Sequence, residues 1–290
     1  MLQEFDAGWS SGSSLLRFYA AHGEWLNSTV WVFTGLRKMW KRKKTVKIQF
    51  SKQRTNNESE LNFSPETRAF TRVWTSVLQG DIAVPNTLSR NADKCTERGC
   101  KWPKSGSYVY VPYYISKTFS QEERDVIIRG MQGFNQSTCI RLIPWKPEDR
   151  DYIFIESKDG CWSYVGRQNG GQYLSLQKTG CVHNEVVQHE ILHALGFNHE
   201  QVRSDRDSYV RILFDNIEPN FKFAFEKKET NNLGTPYDFT SVMEYRNDAF
   251  SKNGKPTIVA KCDPNLKFGN SKKMSANDII RINKLYECSE

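Results

Sequence analysis

No stretch of this 290-residue chain stays apolar long enough to serve as a secretory leader or to cross a membrane. A leader follows its cationic start with about 7–15 apolar residues, and the best candidate, residues 15–36, is broken by Arg17, His22, Glu24 and Asn27. A membrane helix needs about 20 apolar residues in a row, so no stable membrane insertion is expected. Cysteine is missing from the first 90 residues, and none of the seven at 95, 100, 139, 161, 181, 262 and 288 has C-x-x-C spacing. That absence argues against thiolate metal sites. An excess of charge is also missing where it would matter: of the formal +8, residues 91–290 hold 28 Lys/Arg against 26 Asp/Glu, while residues 1–90 hold 13 against 7. The basic surplus sits mostly in Arg37-Lys-Met-Trp-Lys-Arg-Lys-Lys44, a local charge run, and no nucleic-acid partner is expected.

What is present is enough for a packed core, with 38% hydrophobic and 13% aromatic residues. Cysteines without metal spacing are read by default as a disulfide framework formed in an oxidising compartment, although their pairing does not follow from sequence. The cysteines outweigh the missing leader, and an extracellular destination is expected.

The richest stretch is Val187-Gln-His-Glu-Ile-Leu-His-Ala-Leu-Gly-Phe-Asn-His-Glu200. On a helix, His189 and His193 project from one face one turn apart, as two ligands of one metal must. Glu190 points to a neighbouring flank, within reach of a metal-bound water without being a ligand. Gly196 offers the left-handed conformation that ends a helix and lets the chain bring back His199. A lone helical histidine is usually a core residue. Three His, one Glu and one Gly at fixed offsets are different, matching by chance about once in 10⁵ chains of this length. Three imidazoles suit Zn²⁺ and leave positions open for water and substrate, whereas a structural zinc usually closes with four Cys/His ligands. The pattern H-E-x-x-H-x-x-G-x-x-H with a later Met-containing turn, here Ser241-Val-Met-Glu-Tyr245, is the metzincin signature.

His189 to Glu200, continued by Gln201-Val-Arg-Ser-Asp-Arg-Asp-Ser-Tyr209 and rejoined by Ser241-Val-Met243 and Tyr245, resembles the astacin family of zinc endopeptidases, with the likeness running from about Asn91 to Cys288. The resemblance implies an α+β metzincin-type fold. Two subdomains would flank an active-site cleft, the N-terminal one holding the active-site helix and a twisted, mostly parallel sheet with an antiparallel edge strand. It implies that His189, His193 and His199 bind one Zn²⁺ per chain, that Glu190 is the general base, and that Tyr245 is a displaceable ligand stabilising the transition state. Met243 would floor the site, and Glu200 would hold the new N-terminus of the matured enzyme through a buried, water-mediated salt bridge. One position departs from the family habit: Glu244 stands where His is usual, and its carboxylate is placed to pair with a cation or perturb Tyr245. The resemblance also implies bridges Cys139–Cys288 and Cys161–Cys181, with Cys95–Cys100 like the extra bridge of six-cysteine fish astacins, which include hatching enzymes. Cys262 is left over as a free thiol, an intermolecular partner or, slightly favoured, a buried residue.

Upstream, a helix-like stretch Phe70-Thr-Arg-Val-Trp-Thr-Ser-Val-Leu78 leads into Gln79-Gly-Asp-Ile-Ala-Val-Pro85. Gly-Asp is most often a turn. Here it resembles the astacin propeptide motif F-x-G-D, with Leu78 in place of Phe, which would put Asp81 on the zinc in the zymogen only. Ser89-Arg90 before Asn91 reads as the activation cut, so an activating protease is an expected partner. The expected organisation is residues 1–62 as a segment without a place in the domain, 63–90 as propeptide and 91–290 as catalytic domain, acting as a monomer. The function expected is a zinc metalloendopeptidase made as a zymogen and hydrolysing protein substrates extracellularly, with egg-envelope proteins at hatching as substrate. The alternatives are a catalytically weakened zinc-binding module and a broad extracellular protease of other tissues.

Between the motifs, Tyr108–Ile115 alternates and reads as a strand, Ser120-Gln-Glu-Glu123 caps a helix through about Phe134, and strands follow at Cys139–Pro144 and Tyr152–Ser157. Cys161–Tyr164 reads as an edge strand able to pair with an extended peptide, ahead of Leu174–Leu176. Asp215–Thr230 reads as helical, and Ser275–Tyr286 as a final helix with Ile279, Ile282 and Leu285 inward.

Overall fold

The structure is a computed structural model, described here over residues 76–78, 80–84 and 99–289. The expectations for residues 1–62, for Cys95 and for the cut between Arg90 and Asn91 lie outside the described residues.

A hairpin of β1 (Ser76–Leu78) and β2 (Ile82–Val84) opens the described chain, so the helix-like reading of Phe70–Leu78 fails over its last three residues. Short β3 (Lys104–Ser105) leads to β4 (Tyr108–Ile115). Helix α1 (Gln121–Ser137) starts from the expected capping box, Ser120 accepting from the Glu123 amide while the Glu123 carboxylate accepts from the Ser120 amide. Then come β5 (Ile140–Pro144), β6 (Tyr152–Glu156), β7 (Cys161–Tyr164) and β8 (Gly171–Leu176). The sheet order is β1-β2-β7-β8-β6-β4-β3, with β5 also on β4. β4 runs parallel to β5 and β6, and β6 to β8, while β7 is antiparallel to β8. With β3 antiparallel to β4 and β1 to β2 as well, the sheet is parallel at its centre and antiparallel toward both edges, in keeping with the mostly parallel sheet and antiparallel edge strand that the resemblance implies.

The run Tyr-Ile-Phe-Ile of β6 shows why the sheet sits centrally. A strand's side chains alternate between faces, so a continuous apolar run needs cover on both. Ile153 and Ile155 join the core with Val109, Val111, Ile127 and Phe134, while Tyr152 and Phe154 pack on the other face with Trp162, Tyr164 and Tyr173. Helix α2 (Asn184–Ala194) belongs to the first of these cores through Val187, Ile191 and Leu192.

Beyond α2, a second core forms around the antiparallel pair β9 (Val210–Ile212) and β10 (Ile258–Ala260), with Ile217, Phe225, Tyr237 and Phe268. The helix expected over Asp215–Thr230 does not form. Two 3₁₀ turns take its place, Phe214–Asn216 and Pro219–Phe225. Pro219 explains the break, because its ring would clash with the carbonyl of Asp215 and it has no N–H to give. The final helix, α3 (Ala276–Leu285), is capped by Ser275 paired with Asp278. Cys139–Cys288 and Cys161–Cys181 are bridged as the resemblance implied. Cys100 is also disulfide-bonded. Cys262 is a free, exposed thiol, which overturns the slight preference for a buried one; it follows β10 in a stretch of exposed polar residues and has no core to enter.

Candidate metal centre

The three histidines converge because one helix and one turn aim them. His189 and His193 lie one turn apart on α2. Gly196, at φ +107°, then turns the chain out of the helix, with the Phe197 amide donating to the Leu192 carbonyl, and His199 comes round to meet them. The Nε2 atoms lie 3.1 Å apart for His189 and His193, and 3.2 Å from His199 to each. Nδ1 of His189 donates to the Val242 carbonyl and Nδ1 of His193 to that of Phe197, both at 2.8 Å. A neutral imidazole that donates through Nδ1 presents a lone pair at Nε2. Lone pairs aimed at one point repel unless a cation lies between them. Nitrogens tetrahedrally disposed around Zn²⁺ at about 2.0–2.1 Å would stand about 3.3 Å apart, so the donor set and its spacing fit that ion.

The hairpin brings the fourth donor. β2 adds to β7 in parallel, pairing Ile82 with Ser163 and Ala83 with Tyr164, and the Ser163 amide donates to the Asp81 carbonyl at 2.9 Å. This register delivers the Asp81 carboxylate into the histidine cluster: Oδ2 is 3.2 Å from His189 Nε2 and 3.0 Å from His199 Nε2. Asp81 and the three histidines are the one such metal-capable cluster among the described residues. Burial alone would raise the Asp81 pKa, but the imidazoles of His199 and His189 outweigh it and hold the carboxyl far below the usual range. Gly80 makes the turn at φ +79°, and a Cβ there would lie 2.6 Å from Phe250 Cζ, so any other residue at the tip would strain the backbone and push the Phe250 ring aside.

Around the cluster, Glu190 is fully buried, and its Oε2 has no hydrogen-bond partner among the described residues. Burial pushes its pKa well above the ordinary carboxylate value, with the Asp81 charge adding to the rise. The Tyr245 ring lies 4.4 Å from that of His199, and its hydroxyl points to Asp81 Oδ1 at 3.4 Å. Met243 is buried in the main core, and its carbonyl accepts from the Glu200 amide, tying the Met-turn to the third histidine's loop. Glu244 is buried with neither oxygen hydrogen-bonded among the described residues; the Tyr237 hydroxyl stands near without ordinary bond geometry. Gly80, Asp81, His189, Glu190, Tyr245 and Phe250 all border one open cleft, whose floor is α2 and whose far wall is the Met-turn and the segment after it.

Two residues that sequence reading missed hold this arrangement from behind. Asp278 of α3 accepts from the Ser241 hydroxyl at 2.6 Å and the Val242 amide at 3.0 Å, which sets the carbonyl that orients His189. Arg281, one turn on, makes a two-pronged contact with Glu200 at 2.7 and 2.8 Å. The signal was there: in a helix expected to turn Ile282 and Leu285 inward, Asp278 and Arg281 share that stripe, where charge is out of place.

A family model described as Astacin, a peptidase family, matches residues 94–287. High choriolytic enzyme 2 of Oryzias latipes is 45% identical over 227 residues, 75% of this chain and 80% of that protein. Low choriolytic enzyme of the same fish is 43% identical over 215 residues, 73% and 78% of the two. Among solved structures, High choriolytic enzyme 1, a hatching enzyme zinc-protease from Oryzias latipes, superposes with a TM-score of 0.64 at 46% identity, covering 66% of this chain and 96% of that one.

Proposed function

The chain belongs to the astacin family of zinc endopeptidases, and from that premise we propose that the fold described above is its latent form, with Asp81 as the latch. One observation carries this reading: the propeptide-side carboxylate lies among the three Nε2 atoms, where a water or a substrate carbonyl would otherwise have to come. β2 blocks the cleft a second way, since it occupies the edge of β7 that an extended substrate needs for main-chain pairing. A cut near Arg90 is the step that releases both.

His189, His193 and His199 are the residues that hold Zn²⁺. When bound there, the ion supplies Lewis acidity that brings a water's pKa toward about 7 and polarises a carbonyl. The remaining chemistry belongs to the chain. Glu190, buried beside the cluster with its Oε2 unbonded among the described residues, takes the proton from the attacking water and returns it to the leaving amine. Once Asp81 is gone, the Tyr245 hydroxyl turns to donate to the oxyanion. β7 holds the substrate backbone in register.

The protein acts on other proteins, and we propose that it is secreted and that its substrates are egg-envelope proteins, in line with its likeness to the choriolytic enzymes. The bridges Cys139–Cys288 and Cys161–Cys181 support an oxidising destination. The test is zinc content and cleavage of casein and of isolated fish egg envelope by the chain cut after Arg90. Zinc at one per chain with digestion of both substrates is the expected result. Casein cleavage with an untouched envelope would leave a broad protease, and zinc without any cleavage would leave a binding module.

A further inference from the structure

The main chain of Tyr245 is held firmly, so the place of its hydroxyl depends on what packs against its ring. Gly269 approaches so closely that a Cβ there would lie 2.4 Å from the Tyr245 carbonyl carbon and oxygen, and the carbonyl of the next residue, Arg246, accepts from the Ala249 amide at 3.0 Å. Among the described residues the ring lies against three others, its centroid 4.4 Å from that of His199, 5.7 Å from Phe250 and 6.1 Å from Phe225. Rings at such separations attract one another. His199 is fixed by its place in the metal cluster, and Phe225 by full burial in the second core. Phe250 is only partly buried and borders the open cleft.

Phe250 stands at φ +54°, a left-handed conformation uncommon for any residue but glycine and rarer still for an aromatic one. Such a conformation persists only where the surroundings over-determine it, and it collects at functional sites. Here the Phe250 carbonyl accepts from the Glu218 amide at 2.9 Å, the Ser251 amide donates to the Asp248 carbonyl at 3.0 Å, and the Ala249 carbonyl accepts from the Thr257 hydroxyl at 2.8 Å. The exposed Phe221 stacks on the ring, with centroids 4.5 Å apart and planes at 17°. So held, the ring meets Tyr245 and also the hairpin tip, where a Cβ on Gly80 would come within 2.6 Å of its Cζ. One ring touches both the turn that closes the site and the tyrosine that works in it.

We infer that Phe250 is the positioning residue for Tyr245. When the hairpin leaves, the tyrosine hydroxyl loses Asp81 Oδ1, which lies 3.4 Å away in the uncut chain, and contacts to its ring then set where it points. Phe250 bounds the swing of that ring on the cleft side and His199 on the metal side, so the hydroxyl stops where the oxyanion forms. A donor placed in advance needs no rearrangement at the moment of reaction, and a misplacement of about 1 Å can cost about 100-fold in rate. Phe221, which does not border the cleft, serves by holding Phe250. The inference rests on the protease reading, in which Tyr245 stabilises the oxyanion, but it assigns Phe250 no part in holding zinc.

The experiment uses the full chain cut after Arg90, with kcat and KM measured on a peptide and zinc affinity by chelator competition. Tyr245→Phe should lower kcat about 100-fold, the scale of losing one oxyanion donor. Phe250→Ala should lower it about tenfold and Phe221→Ala about threefold, each with KM and zinc Kd within about twofold of the parent, as expected when a donor is misplaced and not removed. Phe250→Tyr keeps the ring and has the room that Gly80 vacates, so its kcat should stay within about twofold. In a Tyr245→Phe background both alanine changes should cost less than about twofold, because the hydroxyl they would misplace is gone. Losses that multiply in full with that of Tyr245→Phe, or a change in KM in place of kcat, overturn the inference. So does a zinc Kd weakened about tenfold in either alanine variant, the mark of a prop beneath His199. If Phe250→Ala does not fold, Phe221→Ala, at an exposed position, decides through the same double variant. A parent-like kcat in Tyr245→Phe would defeat the inference together with the tyrosine's role but leave the zinc protease, whereas a parent that binds zinc and cleaves nothing would defeat the protease reading and the inference with it.

Discussion

Oδ2 of Asp81 lies 3.0 Å from Nε2 of His199, across 118 residues of sequence. The contact joins the tip of a hairpin to the end of a helix-and-turn motif, and it is the strand register of β2 on β7 that makes it. If Asp81 is the latch proposed above, latency is a matter of sheet geometry as much as of metal chemistry.

The latch can be opened without the cut. In an uncut Arg90→Ala chain, Asp81→Ala should raise peptide cleavage above the uncut parent, yet leave it below the cut enzyme, because β2 still covers β7. Equal, negligible rates with and without Asp81 would return Gly80-Asp81 to the status of an ordinary turn.

Gly80 offers a subtler key. Gly80→Ala puts a Cβ 2.6 Å from Phe250 Cζ at φ +79°, a conformation that costs an L-residue about 1–2 kcal/mol. The hairpin tip should sit less firmly, so the uncut variant should leak activity while the cut enzyme, having lost the residue, matches the parent. A parent-like uncut rate would mean that the tip tolerates the strain.

Glu190→Gln separates base from ligand. Zinc should stay near one per chain while kcat falls by about 100-fold or more, the range for loss of a general base. Loss of the metal in this variant would instead assign the carboxylate a structural role.

Glu244 should reveal itself through stability. Burial, together with the charges of Glu200 and Asp238, holds its pKa well above the ordinary value, against the weaker pull of the Tyr237 hydroxyl and Arg203. A carboxyl whose folded pKa is raised is deprotonated in the unfolded chain above about pH 4.3 while the folded chain keeps its proton. Stability is thus full below that pH and is lost as pH rises toward the folded pKa. Glu244→Gln cannot ionise, so its denaturation midpoint should gain on the parent's between pH 5 and pH 8. A constant difference across that range would show the parent carboxyl to be solvated or paired.

Much of this was readable from the residues. The offsets among His189, Glu190, His193, Gly196 and His199 could be satisfied only by a helix, a stop and a return. The capping boxes at Ser120 and Ser275 marked their helices because capping is a local interaction. The missed features were long-range or depended on one ring. Nothing in Phe70–Leu78 says that its end will find a hairpin partner beyond Gly80, and Pro219 outweighed the apolar spacing of Asp215–Thr230. Asp278 and Arg281 share the inward stripe of α3, and the partners that make charge acceptable there, Val242 and Glu200, are distant in sequence.

The Cys139–Cys288 bridge, which spans 149 residues, changes what opening α3 would require. A helix at the margin of a fold opens locally at little cost, and each opening of α3 would release the backing of both His189 and His199. With its far end bonded to the start of β5, α3 cannot swing clear on its own, and a loop of this size adds about 5 kcal/mol against unfolding. Its amides should therefore exchange hydrogen with the sheet, as one cooperative unit, and become fast-exchanging once the bridge is reduced. Reducing the bridge should then shorten the residence time of the metal held by His189, His193 and His199.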